Sequence, residues 1–167
     1  GYGNMGSAFA ERLVGFGCEI LAYDKYKTGF ATDKVKAATM QELYDKCDIV
    51  SLHLPLTEET KYLVQKDWIQ SFKKDFILVN TARGKCVKTE DVVEALKSGK
   101  LRGVCLDVLE YESVSFENMD TGKLPEPFEY LVGSDKVVLS PHIAGWTMES
   151  NVKIAEILAQ RIISVLG

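Results

Sequence analysis

Three side chains of this 167-residue chain have the types and positions to bind an acid and move a proton. Arg83 stands in NTARG, just past the apolar run FILVNT (76–81). A guanidinium there can grip a carboxylate through two parallel hydrogen bonds. Glu112 follows LRGVCLDVL (101–109), and His142 stands in SPHIAGWT, after VVLS (137–140). An imidazole held by a carboxylate has a fixed tautomer. It can give a proton to a carbonyl oxygen as a hydride arrives, and take it back in reverse. Taken alone, each residue has an ordinary reading as a structural histidine or a solvated loop charge. What groups them is their shared place at the carboxyl ends of apolar strands, where parallel sheets bind ligands.

The elements that must position them alternate along the chain. Met5, Phe9, Leu13 and Phe16 recur at helical spacing and Gly17 ends the run. CEILAYD reads as a strand ending at Asp24, VKAATM as a weak strand, and QELYDKC as a short helix. DIVSLHL (48–54) is a buried strand stopped by Pro55, followed by two short helices, TEETKYLV and KDWIQSF. After FILVNT, Thr89 caps a helix over EDVVEALKSG that ends near Gly99. LRGVCLDVL is the next strand. An irregular segment from about 110 to 136 leads to VVLS, and one long helix closes the chain from Met148 to Leu166. Strands separated by helices predict an α/β fold, a Rossmann-type doubly wound parallel sheet covered on both faces. No repeat and no Gly/Ser/Pro-rich linker divides it, so residues 1–167 read as one dinucleotide-binding domain.

The opening GYGNMG supplies the glycines of such a turn. Gly1 allows the tight exit from a strand, Gly3 the approach of a pyrophosphate, and Gly6 the close packing of helix on strand. Asn4 and Met5 open the helix, whose free N–H groups and partial positive charge favour phosphate. Asp24 lies 18 positions after Gly6 and can accept from both hydroxyls of the adenosine ribose. It would repel a 2′-phosphate, so NAD is expected over NADP, with Lys25 and Lys27 softening the preference. No apolar strand stands before Gly1. In the order 3-2-1-4-5-6 the absent strand is central, so the sheet is expected to be truncated before its first strand, and either weakly stable alone or completed by a strand borrowed from elsewhere.

Composition narrows the partners. Hydrophobic residues at 46% and charged residues at 26% suit a globular core. A net charge of −4 without a Lys/Arg block argues against nucleic acid, and no apolar run reaches membrane-span length. Cys18, Cys47, Cys86 and Cys105 form no CxxC pair and read as free thiols of a reducing, cytoplasmic compartment. With His53 and His142 as the only histidines, no multi-histidine metal site is expected.

GYGNMG, AYD, VSLHLPLT, ILVNTARGKCVKTEDVVEALKSGKLRGVCLDVLEYE and SPHIAGWT, in this order and spacing, resemble the D-isomer-specific 2-hydroxyacid dehydrogenases, nearest the D-3-phosphoglycerate dehydrogenase-like branch. The resemblance covers essentially the whole chain. It implies a NAD-dependent oxidoreductase that moves a hydride between NAD(H) and a small D-2-hydroxy/2-keto acid, possibly 3-phosphoglycerate. Arg83 would orient the substrate's carboxylate and keto oxygen, His142 would be the acid/base, and Glu112, five residues after Asp107, would tune it. Asp107 would lie near the nicotinamide carboxamide. Thr81, Ala82 and the backbone of Leu54 and Pro55 would line the cofactor cleft, with Gly145 and His53 on the cofactor side. Ser113 stands where the family usually has Pro, FENMDTGKLPEPF reads as an elaboration, and Trp146 is expected to wall the pocket. Family members are about twice as long, which implies an absent substrate-binding domain and a homodimer at full length. Two other readings use the same residues: a NAD(H)-sensing regulator of the corepressor type, and a catalytically inert fragment.

Overall fold

The computed structural model describes residues 1–112 and 125–166. All strand pairs are parallel. β1 (Ile20–Ala22) pairs with β2 (Val35–Ala37). β3 (Ile49–Leu52), β4 (Phe76–Asn80), β5 (Leu101–Leu106) and β6 (Val137–Leu139) form a four-stranded sheet in that order. The pair β2–β1 matches the 3-2 flank of the order 3-2-1-4-5-6, while the β3–β4–β5–β6 sheet carries one strand more than the 4-5-6 flank. Residues 1 and 2 lie where strand one of that order would exit. The Tyr2 N–H donates to Asp24 Oδ2 beyond β1 at 2.7 Å, and Gly1 rests on the His53 carbonyl beyond β3.

Burial explains why β4 is central. Phe76, Leu78 and Asn80 point into one interior face at alternate positions, as a strand requires. The Phe76 ring stacks on Phe72 at 4.2 Å, with Trp68 edge-on to both. α4 (Thr89–Ser98) adds Val92, Val93, Ala95 and Leu96 on one stripe. Each large side chain buried this way contributes roughly 1.5–3 kcal/mol. A smaller cluster of Tyr2, Ala10, Ile20 and Val35 joins α1 (Asn4–Leu13) to β1 and β2, with Phe30 stacked on Tyr2 at 4.6 Å. α2 (Met40–Lys46) begins in a reciprocal capping box between Thr39 and Glu42. α3 (Lys66–Gln70) matches KDWIQSF.

Four expectations are corrected. TEETKYLV is not a helix. Tyr62 takes a left-handed backbone (φ 51°), its N–H donates to the Lys85 carbonyl, and Val64 pairs in parallel with Val87. Pairing with the segment after Arg83 overrides local helix propensity. Thr89 does not cap α4. It is the first helical residue, and its N–H is held by the Glu110 carboxylate at 2.8 Å, a cap supplied from 21 residues away. The segment from 110 to 136 is not irregular throughout, because α5 (Glu126–Gly133) starts after Pro125 with Pro127 in its first turn. The strand read as ending at Asp24 stops at Ala22, leaving Asp24 in the loop. Ser113 and most of FENMDTGKLPEPF lie outside the described residues.

α6 (Met148–Leu166) starts where the Thr147 and Ser150 hydroxyls each accept from the other's backbone N–H. It buries no residue, and Val152, Ile154, Ile157, Leu158 and Ile162 are all exposed. Among the described residues no helix is long and apolar enough to cross a membrane.

Candidate active site and cofactor cleft

The glycine turn is shaped by close backbone approach. A Cβ on Gly1 would stand 2.3 Å from the His53 carbonyl oxygen, and one on Gly6 2.2 Å from the Gly1 carbonyl oxygen. Real side-chain carbons do not come that near, so the start of α1 can sit on the strand ends only with glycine at both positions. Gly3, at the N-cap, is exposed and faces open space, where a Cβ would meet nothing. That space lies at the helix N-terminus, beside the Asn4 and Met5 backbone. An anion entering it meets unpaired N–H groups and the positive end of the helix.

Asp24 flanks the same opening. Its Oδ2 accepts from the Tyr2 N–H, and its Oδ1 accepts from Tyr26 and Lys27 N–H at 2.9 and 3.0 Å. The Tyr2 N–H is the main cause that holds this carboxyl below the ordinary aspartate range. An ionised carboxylate fixed in this way suits two ribose hydroxyls and disfavours a phosphate. The lysines beside it are committed elsewhere. Lys25 Nζ pairs with Glu59 Oε2 at 2.8 Å, Glu59 also accepts from the Tyr26 hydroxyl, and Lys27 Nζ donates to the Tyr2 carbonyl. The residues present therefore fit a dinucleotide without a 2′-phosphate.

Glu112 and His142 meet. Glu112 Oε2 lies 2.9 Å from His142 Nδ1, and Glu112 Oε1 accepts from the Leu109 N–H at 2.8 Å. One carboxylate thus holds both the imidazole and its own loop. His142 has a left-handed backbone (φ 55°), a conformation that a side chain occupies at some cost. Asp107 enforces it. The Asp107 carbonyl accepts from the His142 N–H at 2.9 Å, its Oδ1 from Ile143 N–H and the Ser140 hydroxyl, and its Oδ2 from Ala144 N–H. Burial pushes the Asp107 carboxyl up, the Ser140, Ala144 and Ile143 donors and His142 pull it down, and it ends below the usual range. In the structure Asp107 is therefore the buried anchor of the SPHIAG turn.

Arg83 follows β4, the strand next to β5. Its backbone begins a 3-10 turn (Gly84–Cys86), and its Nη1 donates to the Ala82 carbonyl at 2.6 Å. The Arg83 turn and the Glu112 loop press on each other, because a Cβ on Gly84 would stand 1.9 Å from the Leu109 carbonyl oxygen. The structure joins Glu112 and His142 directly, and links Arg83 to them through Gly84 and Leu109. Thr81 is exposed beside Arg83 and Ala82 is buried. Leu54 packs at the core edge against Gly1, and Pro55 is exposed. His53 is half-buried beside Phe9, with Nε2 3.0 Å from Ser51 Oγ, and burial pushes its pKa down. Gly145 is exposed, its carbonyl accepting from the Ser150 hydroxyl, and Trp146 is 81% exposed, so it does not pack into this chain's core. Among the described residues no group of His, Cys, Asp or Glu could hold a metal.

Two contributors escaped the sequence reading. Ser140, within the quoted SPHIAGWT, holds Asp107. Asn80, fully buried at the end of β4, holds the turn that carries Arg83. Its one signal was a polar residue closing an otherwise apolar strand.

Comparison with known proteins places the chain in a family. The profile of the family described as "D-isomer specific 2-hydroxyacid dehydrogenase, NAD binding domain" matches residues 1–144. A glyoxylate reductase of Thermofilum pendens is 40% identical over 169 residues, covering 99% of this chain and 47% of its own length. A D-lactate dehydrogenase of Streptococcus agalactiae is 36% identical over 159 residues, covering 93% of this chain and 48% of its own. The crystal structure of the D-isomer specific 2-hydroxyacid dehydrogenase from Lactobacillus delbrueckii ssp. bulgaricus, in its NAD-complexed form, superposes with a TM-score of 0.87 at 31% identity. That match covers 100% of this chain and 52% of the other. The chain thus spans about half the length of these relatives. It belongs to the D-isomer-specific 2-hydroxyacid dehydrogenase family, as the NAD-binding domain.

Proposed function

We propose that the protein at its natural length reduces a small 2-keto acid to the D-2-hydroxy acid with NADH, and runs the reverse reaction. Residues 1–167 supply the cofactor domain and the acid/base pair, and the remaining length supplies most substrate contacts. The observation that carries this reading is the Glu112–His142 pair at 2.9 Å, set by Asp107 just past β5, the strand next to the one that Arg83 follows. The names of relatives support a small 2-keto acid, such as glyoxylate or pyruvate, rather than 3-phosphoglycerate.

The nicotinamide, when bound, supplies or accepts the hydride. The chain's own residues do the rest. The Arg83 guanidinium holds the substrate carboxylate. With Nδ1–H donating to Glu112, His142 presents Nε2–H to the keto oxygen. As carbon gains the hydride, that oxygen takes the Nε2 proton and becomes a hydroxyl, and water returns a proton to the imidazole. In the reverse direction neutral Nε2 accepts the hydroxyl proton. Glu112 keeps the ring in one tautomer throughout.

The test is His142→Ala at natural length, with NADH oxidation followed on glyoxylate and pyruvate. Turnover should fall ~10²–10⁴-fold, the usual share of a general acid, with NADH affinity nearly unchanged. Unaltered turnover would refute the mechanism. NADH binding by the wild type without reduction of any 2-keto acid would favour a sensing role.

A further inference from the structure

We propose that Asn80 is the positioning residue of the Arg83 turn, a role that rests on the function proposed above. Asn80 is the last residue of β4, between Leu52 of β3 and Leu106 of β5, and is fully buried. Its side-chain amide is spent on two backbone groups. Oδ1 accepts from the Ala82 N–H at 3.0 Å, and Nδ2 donates to the Arg83 carbonyl at 3.0 Å. Its backbone carbonyl accepts from the Asp107 N–H at 3.0 Å.

One residue thereby binds two parts of the site. Through its side chain it folds residues 81–83 back over the strand end, with donor and acceptor each matched to one backbone group. Through its main chain it fixes the height of that turn against Asp107, which anchors the His142 loop. Arg83 gains no such support from its own side chain, whose described bond runs to the adjacent Ala82 carbonyl. On its far side the turn meets Leu109 through Gly84. The aim of the guanidinium is then set from below by Asn80 and from the side by Leu109. Only an amide carries both a donor and an acceptor in this planar arrangement. Aspartate keeps the acceptor for Ala82 but, when ionised, turns its second oxygen on the Arg83 carbonyl.

The test uses the protein at its natural length, with glyoxylate and pyruvate as probes. Asn80→Asp should lower kcat/KM ~10–100-fold, chiefly through KM for the keto acid, the scale of a displacement near 1 Å. NADH affinity should stay within about twofold of wild type. In an Arg83→Ala background the same change should cost less than about twofold, because the group it positions is gone. Asn80→Ser, smaller and neutral, is measured on the same scale in case the aspartate variant does not fold. Any of the following results would overturn the assignment. The first is kcat/KM unaffected in a folded variant, and the second is an equal loss with and without Arg83. The third is NADH affinity falling in step with activity in both variants, or neither variant folding, which marks a general structural role. A wild type that reduces no 2-keto acid refutes the proposed function along with this inference. An active wild type with indifferent Asn80 variants refutes this inference alone.

Discussion

Gly84→Ala places a methyl group where the Arg83 turn meets the Glu112 loop. The added carbon would stand 1.9 Å from the Leu109 carbonyl oxygen, 2.1 Å from its carbon and 2.8 Å from the Glu110 nitrogen. Ordinary contact begins at 3.4 Å, so the two backbones must part by about 3.4 − 1.9 = 1.5 Å. No side chain can swing aside, because all three obstacles are main chain. Both segments are also tied down: Leu109 N–H by Glu112, and residues 82 and 83 by Asn80. Overpacking of this kind costs about 1–3 kcal/mol. At roughly 2–4 °C per kcal/mol for a chain of this size, Tm should fall by about 2–12 °C. Displacing Glu112 from Arg83 by more than 1 Å should lower keto-acid turnover by ~10²-fold. The α1 end of the cleft is untouched, so NADH affinity measured by fluorescence should change little. Differential scanning fluorimetry and NADH oxidation read the two effects. A Gly84→Ala protein with wild-type Tm and wild-type kcat/KM would refute the claim that these loops are locked together.

Two further predictions concern charge. Glu59→Ala releases Lys25 and Tyr26 beside Asp24, and the affinity ratio of NADH to NADPH should narrow roughly two- to fivefold, the scale of one exposed ion pair; competitive titration with both cofactors checks it, and an unchanged ratio counts against the commitment of Lys25. Asp24 and Asp107 both have lowered folded pKa values, so their stabilisation is present above the ordinary aspartate range and lost as pH falls through the folded values. Tm should therefore drop below about pH 4. Asp107→Asn should be less stable at pH 7 yet lose less on acidification, and an acid limb of the same size in that variant would remove Asp107 from the account.

What the sequence made legible was the placing of chemistry at strand ends. Arg83, Glu112 and His142 each follow an apolar run, and the parallel sheet carries all three to its carboxyl edge. The Gly1, Gly6 and Asp24 pattern also becomes real geometry, because close backbone approach leaves a signature in residue type. What stayed hidden depends on pairing between distant segments. TEETKYLV has the composition of a helix, yet residues 62–64 are claimed by the backbone of 85–88. Glu110 and Glu112 differ by two positions and by nothing in type. The resemblance singled out Glu112 for His142, five residues after Asp107, but nothing foretold that Glu110 holds the start of α4 through the Thr89 N–H. Asn80 shows only as a polar residue closing an apolar strand, because its worth lies in two backbone groups, and backbone groups look alike in every sequence.

The exposure of α6 has a consequence for how its backbone exchanges hydrogen with water. In proteins, packing of an apolar face normally supplies most of a helix's stability. α6 has a hydroxyl clasp at its first turn and no buried side chain beyond it. Its peptide groups are then protected from solvent hydrogen only by neighbouring turns of the same helix. Its amide hydrogens should therefore exchange faster than those of β4 and α4, which residue-resolved hydrogen exchange would read.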